Sequence, residues 1–346
     1  MTQLISWGLL AFGLSFVMTV FVKQLALKKG AVDVPTKARK IHKKPIARLG
    51  GLAIFVAFSA VMFIILASNG TLVSGSITYF HYAGVFIGGL ILMFGGYVDD
   101  RYELPAHISI VSPFLAAITV IIFGIEIEKL SNPFGGVIYL TEIQSDILVF
   151  VWLMVVMYTT KFLDGLDGLA TSVTSIGSLM IMLLSLTVAY YQPDVALMSA
   201  VAIGSMLGFL FWNFHPASIF LGEGGSTYVG FLLGVLAVIS GGKLATALLV
   251  LGIPLLDAVW VVVRRYRAGG IKNIFAGDRK HLHHRLYDRG FGQRSVVLFY
   301  MIIATSFGIT TLVFQSREKL VALVILALLM LLVALFFSRK DKYEAQ

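Results

Sequence analysis

Along the chain, long stretches almost free of polar residues alternate with short charged connections. Eleven apolar runs stand out, at 4–22, 49–67, 83–98, 108–124, 146–160, 168–190, 196–213, 226–240, 244–263, 295–314 and 320–337. A hydrocarbon layer ~30 Å thick needs about 20 apolar residues of helix to cross it, because no water inside can satisfy open backbone groups. The pattern predicts an all-α polytopic integral membrane protein with about eleven transmembrane helices, forming one transmembrane domain over residues 1–346. The fifth and eighth runs are the short ones. The first run has no Lys or Arg before Lys23, and no small-residue cleavage site follows it, so it reads as a span and not as a cleaved signal peptide.

Composition agrees. The 346 residues are 58% hydrophobic and 13% charged, far from the ~45–50% apolar and ~25% charged residues of soluble domains. This excludes a soluble enzyme, a disordered chain and a nucleic-acid-binding module. With no cysteine, disulfides and thiolate metal sites are excluded too.

The net charge of +9 acquires its meaning from location. Loop 23–48 carries nine Lys and Arg and loop 264–294 another nine, and eleven spans put both on one side with Arg101, Lys161, Arg339, Lys340 and Lys342. Only Lys129, Lys243, Arg317 and Lys319 fall on the other. The basic side is cytoplasmic by the positive-inside bias, so the N-terminus is expected outside and the C-terminus in the cytosol. On the bland reading these cations only set topology and lie against anionic headgroups.

The acids on that same side are more telling, because ionisable residues at a membrane edge are costly and usually functional. In GGYVDDRYEL, Asp99, Asp100 and Glu103 share one face of a helical end, and their repulsion invites a hard cation such as Mg²⁺. In KFLDGLDGLATS, Asp164 and Asp167 alternate with Gly165 and Gly168; Asp167 could equally cap the next span. In IFLGEGGSTYVGF, Glu223 sits among Gly222, Gly224 and Gly225, whose backbone N–H groups could cradle a phosphate at a helix start. DRKHLHHRL gathers His281, His283 and His284 between Arg279, Lys280 and Arg285; its cations favour anion binding over a zinc site. Asp257 lies inside the ninth run behind Pro254, which should kink or break that helix, and it either pairs with a cation or is satisfied by its neighbours. Carboxylates, a phosphate cradle and a basic histidine cluster at one membrane face suit phosphoryl-group chemistry between a nucleotide-activated donor and a lipid acceptor.

At this point the chain resembles the polyprenyl-phosphate N-acetylhexosamine-1-phosphate transferases, of glycosyltransferase 4 type. The matching stretches are VDVPTKARKIHKKPIARLGG (32–51), GGYVDDRYEL (95–104), FLDGLDGLA (162–170), IFLGEGGSTYVGF (219–231), GIPLLDAVWVVVRR (252–265) and GDRKHLHHRLYDRGF (277–291), in family order. The resemblance implies transfer of a sugar 1-phosphate from a UDP-sugar to polyprenyl phosphate, releasing UMP, in a bacterial plasma membrane, with Mg²⁺ or alternatively Mn²⁺. It implies catalytic roles for Asp99, Asp100, Asp164 and Asp167, and metal contacts from Asp99, Asp100 and Glu223. Substrate binding is expected of Arg48, Lys161, Gly224, Gly225, Arg279, Lys280, His281, His283 and His284. HLHHRL is similar to the branch using simple UDP-N-acetylhexosamines such as UDP-GlcNAc, and less like the peptidoglycan translocase with its peptide-bearing donor.

Two residues depart from the family pattern. Glu223 stands for the usual Asp, and Lys161 for an Asn, where it could contact a phosphate or pair with Asp164. Other readings are an ion-coupled transporter, which requires acids near the bilayer midplane, and an intramembrane prenyltransferase, which leaves the histidines unexplained. No nucleic-acid partner is expected; a homodimer is an open alternative, with Gly84 and Gly88 as a packing seam either between copies or within one bundle.

Overall fold

The computed structural model describes residues 1–35, 44–69, 72–73, 77–241, 243–270 and 280–343. Every apolar run falls on a helix or a broken pair. They are α1 (Thr2–Lys29), α2 (Gly50–Asn69), α3 (Tyr79–Tyr102), the short α4 (Ala106–Ser109) with α5 (Val111–Ile122), α6 (Glu142–Leu163), α7 (Leu169–Ser185), α8 (Pro193–Asn213), α9 (Gly222–Ile239), α10 (Leu244–Val250) with α11 (Gly252–Gly269), and then α12 (Leu282–Asp288), α13 (Gln293–Val313) and α14 (Ser316–Tyr343). Of these, α12 alone lies outside the apolar runs. Among the described residues seven helices are by themselves long and apolar enough to cross a membrane, and the bent α10–α11 pair makes an eighth. The chain is a multi-pass membrane protein. The fifth run belongs to a helix of 22 residues, longer than its apolar stretch, and the eighth to one of 18; the fourth and sixth runs fall on shorter helices, α5 with 12 residues and α7 with 17.

Two small antiparallel ribbons join the helices. Val32–Asp33 (β1) pairs with Ile46–Ala47 (β2), and Lys129–Ser131 (β3) with Val137–Tyr139 (β4). Strand β2 continues into a parallel bridge from Ala47 to Ile219, and the N–H groups of Gly50 and Gly51 donate to Phe220 O and Leu221 O. The entrance to α2 is thereby laced to the entrance to α9.

Helix α9 forms the centre. Every residue from Gly224 to Val238 is buried, as a helix apolar on all sides must be. It is surrounded by α2, α3, α6 and α7, while α1 packs on α8 and leaves Leu9, Val17 and Phe21 to the lipid. Close crossings are made by small residues, the usual means of helix approach in membranes. A Cβ on Gly96 of α3 would lie 2.1 Å from Gly224 Cα, and one on Gly51 of α2 2.1 Å from Gly225 Cα. Gly84 and Gly88 face Phe123 and Phe231 of this same chain, so that seam is used within the bundle.

The ninth run is broken, but not at the proline. Helices α10 and α11 meet at a bend of 75° around Leu251. Pro254 sits in the first turn of α11, where its missing N–H has no helical partner to lose.

Candidate active site

The acids far apart in sequence meet at one end of the bundle. Helix α3 stops because Glu103 turns into the left-handed region (φ +47°) with its N–H on Asp99 O. The chain then folds back over Asp99, whose carboxylate accepts from Leu104 N–H (3.0 Å) and from the Ser109 hydroxyl. Asp100, one step round the helix, accepts the Glu223 N–H with both oxygens (3.0 and 3.2 Å), a carboxylate set against the N-terminus of α9. Gly222 is needed at that junction: its φ is +77°, and a Cβ would come within 2.4 Å of Asp100 Oδ2. Arg48, held over the pair by the β2 lacing, joins Asp33 to Asp100, lying 3.7 Å from Asp100 Oδ1.

Lys161, on the last turn of α6, reaches across to α9. Its Nζ lies 2.8 Å from Glu223 Oε2 and donates to Ser109 Oγ at 2.9 Å, with the Tyr158 ring beside it. Of the two roles open to Lys161, pairing with Asp164 gives way to this contact. Asp164 lies beyond the end of α6, where burial, then the charges of Glu223, Asp100 and Asp167, push its carboxyl up to about 8. Asp167 does not cap α7, a place taken by Gly168. Its carboxylate instead accepts from Ala217 N–H (3.1 Å) and meets His215 Nδ1 (2.7 Å), and its N–H donates to Gln293.

Over the Asp164–Gly168 turn lies the histidine segment. Asp257 is buried and holds it, accepting from Leu282 N–H (3.0 Å) and meeting His281 Nδ1 (2.8 Å), while His281 stacks on Phe162. A Cβ on Gly165 would come within 2.4 Å of His283 Nε2 and 2.8 Å of His284 Nε2, so glycine lets the segment close on the turn. His283 is buried, and burial followed by its histidine neighbours holds the imidazole neutral, well below its ordinary range. A neutral, enclosed ring does not clamp a phosphate by charge. His284 and Arg285 are half-buried and Lys280 is exposed; Arg279 lies outside the described residues. Asp257→Leu should free this segment. Each lost hydrogen bond to a buried acceptor is worth about 1–3 kcal/mol, so trypsin cleavage after Arg285 should quicken at least about tenfold, read by gel under native conditions.

Packing bears on two expectations. Gly224 and Gly225 are buried at the crossings with α3 and α2, which leaves no face for a phosphate; there glycine serves helix approach and not ligand approach. The divalent ion read from Asp99, Asp100 and Glu223 does not fit the arrangement present. Both Asp99 oxygens and both Asp100 oxygens are engaged by protein donors, and an ammonium lies on Glu223. Among the described residues no three His, Asp or Glu side chains converge on one point, at the acids or at the histidines.

Sequence reasoning passed over Asp33, Ser109, His215 and Gln293. Asp33 stood within the quoted stretch 32–51; the others are ordinary residues that become significant only when the chain closes. Beside the histidine segment, α11 and α14 border an apolar cavity of about 180 Å³, lined by Leu256, Trp260, Val263 and Met330, with Lys280 and Arg285 at its edge.

Fold and site together define a class: a membrane-embedded enzyme that brings acids, cations and histidines to one end of its bundle, beside an apolar groove, to handle phosphate groups next to lipid. The chain belongs to glycosyl transferase family 4, whose sequence profile matches residues 82–241. It is 32% identical over 321 residues to the probable undecaprenyl-phosphate N-acetylglucosaminyl 1-phosphate transferase of Bacillus subtilis (strain 168), covering 91% of this chain and 86% of that one. It is 32% identical over 348 residues to the decaprenyl-phosphate N-acetylglucosaminephosphotransferase of Mycobacterium tuberculosis (strain ATCC 25618 / H37Rv), with 92% and 84% covered. Against the undecaprenyl-phosphate alpha-N-acetylglucosaminyl 1-phosphate transferase of Yersinia pestis the identity is 27% over 348 residues, with 94% and 87% covered.

Proposed function

We infer that this protein transfers N-acetylglucosamine 1-phosphate from UDP-N-acetylglucosamine to a polyprenyl phosphate at the cytosolic face of a bacterial plasma membrane. An oxygen of the lipid phosphate attacks the sugar-bearing phosphorus of the donor. The bond from that phosphorus to the bridging oxygen breaks, its electron pair leaves with UMP, and the lipid carries away a diphosphate-linked sugar. The acceptor phosphate is already anionic near neutral pH, so the protein's work is orientation and neutralisation of charge.

The observation that carries this reading is the meeting of Asp99, Asp100 and Glu223 with Arg48 and Lys161 beneath the histidine segment. Arg48 and Lys161 are the cations that face the acids and would receive phosphate oxygens. Asp100 orients Arg48, and Asp99 orients Lys161 through Ser109. Asp164 and Asp167 hold the turn on which the donor's nucleotide end rests. Lys280 and Arg285, at the edge of the apolar groove, suit the acceptor phosphate, with the first isoprene units in the groove. Eleven crossings, with the N-terminus outside and the C-terminus in the cytosol, bring this end of the bundle to the donor's compartment. A transport path would need such acids near the midplane, and these lie at helix ends.

Purified full-length protein given labelled UDP-N-acetylglucosamine and undecaprenyl phosphate is expected to form labelled lipid and UMP in equal amounts. Absence of product from this donor, from UDP-N-acetylgalactosamine and from the peptide-bearing peptidoglycan donor would overturn the reading.

A further inference from the structure

We propose that Lys161 is the resident cation of this site, standing where a divalent ion would otherwise balance Asp99, Asp100 and Glu223, and that sugar-phosphate transfer therefore proceeds without a bound metal. This rests on the transferase reading above and concerns how its charge is managed.

Three carboxylates gathered from two helix ends require positive charge among them. Two cations supply it from within the chain: Arg48 on the Asp100 side and Lys161 on the Glu223 side. The Lys161 ammonium is not a surface charge that happens to lie nearby. It contacts Glu223 Oε2 at 2.8 Å and donates at 2.9 Å to Ser109, whose hydroxyl in turn donates to Asp99. One ammonium is thus linked to two of the three acids expected to hold a metal, and Arg48 faces the third.

Each partner also suits its position. Lys161 lies in the last turn of α6, where the helix dipole favours a cation, and Glu223 in the first turn of α9, where it favours an anion. Glutamate has the additional methylene that lets an anchored α9 backbone reach a lysine on the neighbouring helix. The two residues at which this chain departs from the pattern it resembles are thereby the two halves of one ion pair. Among the described residues the three N–H donors of Lys161 meet one hydrogen-bond acceptor, Ser109, and one ion-pair partner, Glu223, and a fifth of the side chain is exposed. The remaining donor is available to a phosphate oxygen of the substrate. A divalent ion on Glu223 would have to displace the ammonium, and one that drew on Asp99 or Asp100 would compete with Leu104, Ser109 and the Glu223 N–H for the same oxygens.

Two measurements on the purified full-length protein test this. Mn²⁺ titrated in micromolar amounts and followed by electron paramagnetic resonance should remain free in the presence of wild type. In Lys161→Asn, which clears the ammonium from the three acids, it should become bound. Transfer by wild type in excess EDTA should stay within about threefold of that in Mg²⁺, whereas Lys161→Asn should lose at least about tenfold in EDTA and recover with Mg²⁺. Abolition of wild-type transfer by EDTA would overturn the proposal, whether or not free protein binds Mn²⁺; so would one tightly bound Mn²⁺ per wild-type chain. Should wild type give no product with any donor under either condition, the transferase reading fails, while Mn²⁺ binding still decides whether the lysine excludes the ion.

Discussion

Asp100→Asn is expected to lower kcat about 10²–10³-fold while leaving a folded protein and a nearly unchanged KM for the nucleotide donor, the loss typical of removing one element of a preorganised electrostatic site. Asparagine keeps a carbonyl oxygen where the Glu223 N–H needs an acceptor, so the junction between α3 and α9 retains a hydrogen bond. What disappears is the charge. Among the described residues Arg48 then keeps Asp33 alone as an ion-pair partner, and its guanidinium is drawn away from the acids toward β1. A displacement of about 1 Å in a group that orients a phosphate is enough for a 10²-fold loss. Steady-state assays with labelled donor, alongside a thermal melt in detergent, separate this from misfolding. Full activity would make Asp100 a helix cap and nothing more.

Gly96→Val should have the larger effect on assembly. Its Cβ would lie 2.1 Å from Gly224 Cα and 2.3 Å from Gly224 N, both far inside any real contact, and the neighbour is backbone that cannot rotate aside. Helices α3 and α9 must separate, at the cost of about 1–3 kcal/mol or more that overpacking carries. Since α9 is the buried centre of the bundle and carries Glu223 in its first turn, the disturbance passes directly to the acids. Size-exclusion chromatography in detergent should show a sharply reduced monodisperse peak and a lowered melting point. Gly13→Ala is the matching control: nothing lies within 4 Å of its Cβ, so this substitution should be neutral or slightly stabilising.

The spans were legible because a membrane helix announces itself by composition alone, with no need to know its neighbours. Their interruptions were less so. Pro254 marked the ninth helix as broken, yet the bend falls at Leu251, because a proline is tolerated in a first turn and so marks a start as readily as a stop. The acids were legible as well, since charge at a membrane edge is rare enough to draw notice, and Asp99, Asp100, Asp164, Asp167 and Glu223 do come to one end of the bundle. Their partners were not. Glycine permits close approach without indicating what approaches, and Gly224 and Gly225 meet Gly96 and Gly51, which belong to other helices. Lys161 lies three residues from Asp164 but pairs with Glu223, because the helix ends between the two and the aspartate turns inward. Ser109 and His215 matter only as links between residues that tertiary structure brings together.

The lacing of Ala47–Gly51 to Ile219–Leu221 bears on how the protein is made. When the ribosome has released the first of these strands, its partner is still some 170 residues from being synthesised. Throughout that interval the entrance to α2 waits at the bilayer surface with the N–H groups of Gly50 and Gly51 unpaired. Insertion and maturation are therefore separate events. The early helices enter the membrane one after another, but the pocket closes only when the segment between α8 and α9 emerges, so a nascent chain halted before that point is already anchored and still inert.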